Sequence, residues 1–525
     1  VHRNKSKPKG DHLLRINAET PAGRRETAEF NHRIIGGPVA FILLWSATLG
    51  CTPPPQFRDN ALEWYKQERA ARLEPGQTLP VHHRHDVSDV LTDWFGDPDS
   101  PALPLVEGVE DPLAGLFDAG GLGRAAGPVV SRDANSSSGL YRRHCSHCHG
   151  VTGDGMGPTA SFLSPYPRDF RMGRFKFKSS PTGTPPTKAD LKLLLQNGVP
   201  GTSMPSFRLL KDEELDALVD YVVYLSMRGM VERFLIAAVR DLDDDERLVN
   251  LPNGMRFQEL PAKAKLEIGT PISKLRKSPA SERDNAAGEA ATIETEPNSD
   301  ENETDVVSAG NGTTDAAATN SSGDTEVGGQ SAFDPETVEE DLLYLVEEQL
   351  LPVAEKWLGI LDYEPKEVDV PAWVLDRGHE AYASQVELGH KLYFGAANCV
   401  QCHGETGVGD GQTNNFDDWT NDWLKVEGIN PNDSQAWAPY VNAGAHPPRP
   451  ILPRNLRLGA YRGGDRPIDL FRRIQYGIEG TPMPASLTLS DEQVWALVAY
   501  IRQLPFEPLS RPASASKSEN ERSVR

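Results

Sequence analysis

The stretch Cys145-Ser146-His147-Cys148-His149-Gly150 decides how the rest of this 525-residue chain is read. Two thiols three residues apart, followed at once by an imidazole, make C-x-x-C-H, the spacing that attaches a c-type haem. The thiols add to two vinyl groups as thioethers, and the His beside the second Cys falls beneath the iron. A second copy, Cys399-Val400-Gln401-Cys402-His403-Gly404, repeats the spacing and the trailing glycine. Two covalently attached haem c groups are therefore expected, on Cys145 and Cys148 and on Cys399 and Cys402. His149 and His403 would be iron ligands. A single all-thiolate zinc site also suits two C-x-x-C pairs, but it leaves the His after each pair unexplained.

An iron that shuttles electrons without binding substrate needs a sixth ligand. Gly201-Thr202-Ser203-Met204-Pro205 offers Met204 from a Gly/Pro loop rather than from a helical core position. Met156, Met172, Met227 and Met230 are its rivals. The pattern returns as Gly480-Thr481-Pro482-Met483-Pro484, and Met483 is the only Met after Met255. Other segments repeat as well. Thr152-Gly153-Asp154-Gly155 pairs with Gly409-Asp410-Gly411, and Pro167-Arg168-Asp169-Phe170-Arg171 with Pro453-Arg454-Asn455-Leu456-Arg457. The recurring arginines suit either pairing with haem propionates or a solvated basic loop.

Each half also ends in an amphipathic helix. From Asp212 the chain places Leu215, Leu218, Val219, Val222 and Leu225 on one face, behind an acidic first turn. Its counterpart starts at Asp491-Glu492-Gln493 and runs through Leu504. The halves differ between about residues 414 and 450, where the second carries extra chain including Trp419, Trp423, Trp437 and His446. That insertion suits a partner-docking surface or a lid over the haem.

These motifs resemble those of class I cytochromes c over residues 138–230 and 385–505. The resemblance implies a small all-helical fold around each haem. It also implies His149/Met204 and His403/Met483 as axial pairs, a combination that raises the reduction potential. By the same resemblance the Pro158 carbonyl would accept a hydrogen bond from His149, unless Pro158 is a plain turn residue. No proline stands at the matching place for His403.

A formal charge of -22 argues against nucleic acid as a partner, since phosphate binding needs a basic footprint. The basic residues ending at Arg33 precede an apolar run, Ile34 to Leu49, too short for a comfortable span and suited to a secretory signal. The run leads to Cys51, the one cysteine outside the haem motifs, which would be a lipidated first residue; an uncleaved anchor or ordinary cleavage are the alternatives. From about Lys274 to Gly329 the composition turns acidic and small and loses its aromatics, which predicts disorder. Some 55 such residues would span roughly 40 Å, letting the second domain roam; the alternative is a loop between docked domains. His82, His83 and His85 suit a solvated loop better than a metal site, and 114–128, rich in Gly and Ala, reads as loop.

The expected architecture is all-α: two class I cytochrome c domains joined by a disordered acidic linker, with helical extensions. Its layout is a leader or anchor (1–51), an N-terminal helical extension (52–137), the first domain (138–230) and a connecting segment (231–273). The linker (274–329), a helical segment (330–384), the second domain (385–505) and a flexible tail (506–525) follow. The function expected is electron transfer between redox proteins of a bacterial respiratory chain. Partners would be a quinol-oxidising complex or a terminal oxidase, met at the periplasmic face from an N-terminal membrane anchor. The alternative is a dihaem enzyme such as a peroxidase, with one labile sixth ligand or with His446 in place of Met483.

Overall fold

The computed structural model describes residues 55–71, 77–104, 113, 115–133, 136–251 and 335–508, with short pieces between 255 and 271. The leader with Cys51, the acidic linker and the tail beyond residue 508 lie outside the described residues. Helices dominate. Strands among the described residues form two short antiparallel pairs, Ala102–Pro104 with Gly269–Pro271 and Val130–Asp133 with Ser136–Ser138. No helix among the described residues is long and apolar enough to cross a membrane.

The first half is built on Asp212–Val239, a 28-residue helix that continues well past Leu225. Glu214 anchors its start by accepting the Lys211 backbone N–H at 3.0 Å. From Ala217 to Glu232 every residue of this helix is buried, the ion-paired Arg228 and Glu232 included, so it needs cover all round. The cover comes from helices Ala61–Ala70, Val81–Phe95, Ala119–Ala125, Lys188–Asn197 and Leu351–Leu358.

That last contributor changes the reading of the linker. Val338, Leu342, Leu350, Val353 and Trp357, all C-terminal to the linker, are buried in the core of the first half. The chain thus leaves this core, traverses the linker and returns to the same core before the second domain begins. A roaming second domain is incompatible with that anchorage, and the two halves are docked. Lys178 is ion-paired with Glu479, Thr182 Oγ1 donates to the Tyr476 carbonyl at 2.8 Å, and Tyr363 OH donates to the Ser179 carbonyl at 3.4 Å.

Both halves open with a helix crossing their closing helix, but the first is interrupted. In the second, Tyr382–Phe394 crosses Asp491–Gln503 at Gly389, where any Cβ would clash with the Ala496 carbonyl. In the first, Gly121 meets Ala217, which holds the same place in its closing helix as Ala496. Gly121 sits on Ala119–Ala125, inside the stretch expected to be loop, and the chain resumes as Leu140–His144 only after the Val130–Ser138 hairpin. The opening helix of the first half is therefore split in two by an inserted hairpin.

The insertion over 414–450 packs on the N-terminal extension. Its helices Asp418–Val426 and Ser434–Asn442 close a small core of Trp423, Leu424 and Tyr440 against Leu62 and Tyr65 of the N-terminal extension. Tyr440 stacks on Trp423 at 4.8 Å and meets Tyr65 edge-on at 5.0 Å. The His cluster is likewise structural. The helix starts at Val81, and His82 and His83 both direct Nε2 at the Glu246 carbonyl, 3.0 Å away. Burial pulls the pKa of His83 down, which keeps its ring neutral there. Among the described residues no three metal-ligating side chains converge, so the four motif cysteines remain two separate pairs.

Candidate haem sites

In each half a short helix carries the second Cys and the His, Ser146–His149 and Val400–His403. The preceding helix aims a tyrosine back at it. Tyr141 OH donates to the Gly150 carbonyl at 2.9 Å, and Tyr393 OH to the Gly404 carbonyl at 2.7 Å. The glycine loop then folds under the His: Gly155 N donates to the His149 carbonyl and Gly409 N to the His403 carbonyl, both at 2.9 Å. Gly157 N and Gly411 N reach the carbonyls of Cys148 and Cys402 at 3.1 and 3.2 Å. These bonds set the alignment of the repeat. Gly155 matches Gly409 rather than Gly411, so Asp154 and Asp410 are not equivalent positions. The shared pattern is T-G-x-G-x-G, from Thr152 and from Thr406.

His149 Nδ1 lies 3.0 Å from the Arg168 carbonyl, and His403 Nδ1 lies 3.0 Å from the Arg454 carbonyl. A carbonyl only accepts, so Nδ1 carries the proton and each Nε2 keeps its lone pair for a metal. Pro158 is thus not the acceptor; the carbonyl of Arg168, one residue past Pro167, does that work, and that of Arg454, one residue past Pro453, does the same. Burial lowers His149 to about 4 despite this bond, and it lowers His403 too. Burial raises the thiol of Cys145 to about 12 and that of Cys399 to about 11. Each site therefore presents a neutral imidazole and, at its first cysteine, a neutral buried thiol.

The methionine loops are built alike. Val199 N and Ile478 N each donate to the carbonyl of their Met at 3.1 Å, and Thr202 and Thr481 accept the Met N–H at 3.1 and 3.2 Å. A continuous cavity of about 590 Å3 is lined by both Cys/His motifs, by Met204 and by Met483. None of Met156, Met172, Met227 and Met230 is among its described lining residues. His446 is not there either. It stacks on Tyr166 at 4.0 Å and donates to the Gly155 carbonyl of the first half at 3.1 Å, so it does not stand in for Met483.

The arginines divide their work. Arg171 is held by Asp169 through Nε and Nη2 at 3.0 and 2.9 Å, and Arg457 by the carbonyls of Leu504 and Glu507. Neither is among the described residues that line the cavity. Arg168 and Arg454 do line the cavity, with Arg462 and Arg473. Arg462 Nε is buried with no hydrogen-bond partner among the described residues, and burial lowers its pKa. Burial lowers Arg473 to about 10. Desolvated cations in an otherwise apolar wall suit the carboxylates of a haem, so the residues present fit the group.

Fold and site together define a c-type cytochrome of class I. Residues 386–505 match the family described as Cytochrome c, and residues 132–222 match Cytochrome C oxidase, cbb3-type, subunit III. With both cytochrome c domains in one chain, the protein is a dihaem class I c-type cytochrome that carries two covalently bound haem c groups and transfers electrons to or from redox partners. No curated protein matches it in sequence. A solved chain of the Kuenenia stuttgartiensis reducing HAO-like protein complex Kustc0457/Kustc0458 is similar at 19% identity, over 70% of this chain and 94% of that one. Its TM-score is 0.34, and at that level the likeness carries no argument.

The tyrosine bonds, the Gly121 and Gly389 crossings and the histidine-orienting carbonyls escaped sequence reasoning. Tyr141 stands four residues before its first Cys and Tyr393 six, so the repeat is out of step there. The carbonyls belong to the repeated P-R-x-x-R segment, which was the available signal; its side chains drew attention that its backbone merited.

Proposed function

We propose that the chain is a two-station electron carrier of a bacterial respiratory chain. Cys145 and Cys148 hold one haem and Cys399 and Cys402 the other, with His149/Met204 and His403/Met483 as axial pairs. Bound haem supplies a one-electron ferrous/ferric couple. The protein supplies neutral, oriented imidazoles, thioether loops fixed by threonine hydroxyls, and an apolar wall that excludes water. A centre closed by Met on one side and His on the other has no position for substrate, which favours outer-sphere transfer over catalysis. The observation that supports this reading is the common cavity, lined by both Cys/His motifs and by both methionines. Donor and acceptor would be a quinol-oxidising complex and a terminal oxidase, met at the periplasmic face by a chain anchored through Cys51.

Redox titration of the holoprotein with optical detection tests the proposal. It should resolve two one-electron steps, with the weak long-wavelength band of Met-ligated ferric haem present for both. Loss of that band from one haem, together with peroxide turnover, would replace the carrier with a dihaem peroxidase.

A further inference from the structure

Arg168 and Arg454 each act in two domains. Their carbonyls accept the Nδ1–H of His149 and His403, each within its own half and each at 3.0 Å. Arg454 Nε donates to the Ala460 carbonyl of its own half at 2.8 Å, but the Nη ends of both guanidinium groups lie against the methionine loop of the opposite half. A Cβ added to Gly480 would come 3.3 Å from Arg168 Nη1 and 3.5 Å from Nη2. A Cβ added to Gly201 would come 2.5 Å from Arg454 Nη1 and 2.7 Å from Nη2. Gly201 and Gly480 each stand three residues before their Met, with φ of +75° and +72°. A side chain at either glycine would be strained by the backbone and would enter the space that the foreign guanidinium occupies.

The exchange is reciprocal, and the same repeat position makes both contacts in both directions. Two lines of contact cross between the halves: His149, Arg168 and the Met483 loop in one, His403, Arg454 and the Met204 loop in the other. A guanidinium is planar and stiff beyond its stem and remains charged, so it buttresses a loop and places a positive charge between the stations. Within its own half each methionine turn is closed locally: the Thr hydroxyl accepts the Met N–H and donates to the Val199 or Ile478 carbonyl, and backbone bonds run from Thr N to that carbonyl and from Val199 or Ile478 N to the Met carbonyl.

We infer that Arg168 and Arg454 are crossed positioning residues: each orients the His of one haem through its carbonyl and supports the Met loop of the other haem through its side chain. The inference rests on Met204 and Met483 being the sixth ligands. It makes the docked pair a single redox unit in which each station's Met side is completed by the other half.

The test uses the reduced full-length holoprotein and its two Met methyl proton resonances, which the haem ring current moves far upfield. They are assigned by deleting one methionine at a time. Two such resonances in the unaltered protein are required by the carrier reading; fewer than two overturns that reading. Given two, Arg168→Gln should shift or broaden the Met483 methyl signal and leave that of Met204 in place. Arg454→Gln should do the reverse, and Arg168→Lys should restore part of the Met483 shift. Helical circular dichroism, unchanged, shows that the variants fold. If either glutamine variant perturbs chiefly the Met of its own half, or neither Met, the crossed assignment is wrong. Should Arg168→Gln not fold, the Arg168→Lys spectrum alone decides, since a crossed residue moves Met483 first and a local one moves Met204.

Discussion

The two halves share a hydrogen-bond skeleton almost bond for bond and differ in what is wrapped around it. Tyrosine to glycine carbonyl, glycine N–H to histidine carbonyl, imidazole to arginine carbonyl and threonine to methionine N–H recur with distances agreeing to 0.2 Å or better. The wrapping does not recur. The first closing helix spans 28 residues and lies under the N-terminal extension and the segment after the linker, while the second spans 13 and packs against its own opening helix. The site is thus specified by short loops and glycines, whereas the cores around it are free to diverge as long as the loops are held. What diverged here serves docking: the extension, the insertion and the post-linker helices all bridge or brace the halves.

The sharpest way to break this comparison is at the two helix crossings. Gly389→Ala drives a methyl into the Ala496 carbonyl, and neither helix backbone can retreat without disturbing the other. A loss of about 3 kcal/mol from the second domain is expected. Gly121→Ala places its methyl 3.4 Å from Ala217 Cα and 3.0 Å from the end of the Asp118 side chain, an accommodating arrangement. Helix propensity favours alanine by about 1 kcal/mol, so the first domain should change by about 1 kcal/mol or less. Thermal unfolding followed by far-ultraviolet circular dichroism measures both, and equal losses would show that the split opening helix is as tightly seated as the continuous one.

The ion pair between the halves comes next. Lys178 and Glu479 are 5% and 11% exposed, so Lys178→Met leaves a carboxylate nearly buried without its cation. Breaking a buried pair in this way is costly, but Gly183 N still donates to Glu479 at 3.3 Å. A weakening of docking by about 2–3 kcal/mol is expected. Hydrogen exchange should report it as faster exchange over the Met483 loop and residues 178–184, with the helix Asp212–Val239 unchanged. Smaller, and equal in the two halves, are Tyr141→Phe and Tyr393→Phe. Each leaves a buried glycine carbonyl short of one donor, worth about 1–2 kcal/mol, read as separate shifts in unfolding midpoint.

What could be read in the sequence follows the same division. Cys145, Cys148, His149, Met204 and their counterparts announce themselves because their chemistry fixes residue type and spacing. The helical class is legible from the periodicity of Leu215, Leu218, Val219 and Val222. Docking was not legible, because it depends on long-range contacts between residues of ordinary type: Trp357 reaching Phe175, Tyr65 reaching Tyr440, Lys178 reaching Glu479. The acidic composition over 274–329 described the linker alone and held no information on where its two ends attach. The 114–128 stretch misled for a local reason. Its glycines lower helix propensity, but the Asp118 cap and the packing of Gly121 against Ala217 hold the segment helical.

The smallest effect is also the one most specific to the insertion. His446 belongs to the second half by sequence and bonds to the first, its Nε2–H donating to the Gly155 carbonyl while the ring lies flat on Tyr166. Burial is the main cause lowering its pKa and Arg449 adds to it, while the Gly155 bond, Asp154 and Asp417 oppose. Its folded pKa is therefore below the ordinary value of about 6.5. The undocked state then binds the proton more readily, so the docked state gains with rising pH. The contribution of this contact is complete above about 6.5 and declines as the pH falls from there toward the folded pKa. Because the ring is partly exposed, acidification from pH 7.5 to 5.5 should change the opening of the insertion by less than about tenfold. Amide exchange over 434–446 measures it. His446→Phe keeps the stack on Tyr166, loses the hydrogen bond and should flatten the pH dependence of that segment. An unchanged slope in this variant would overturn the assignment of the pH dependence to His446.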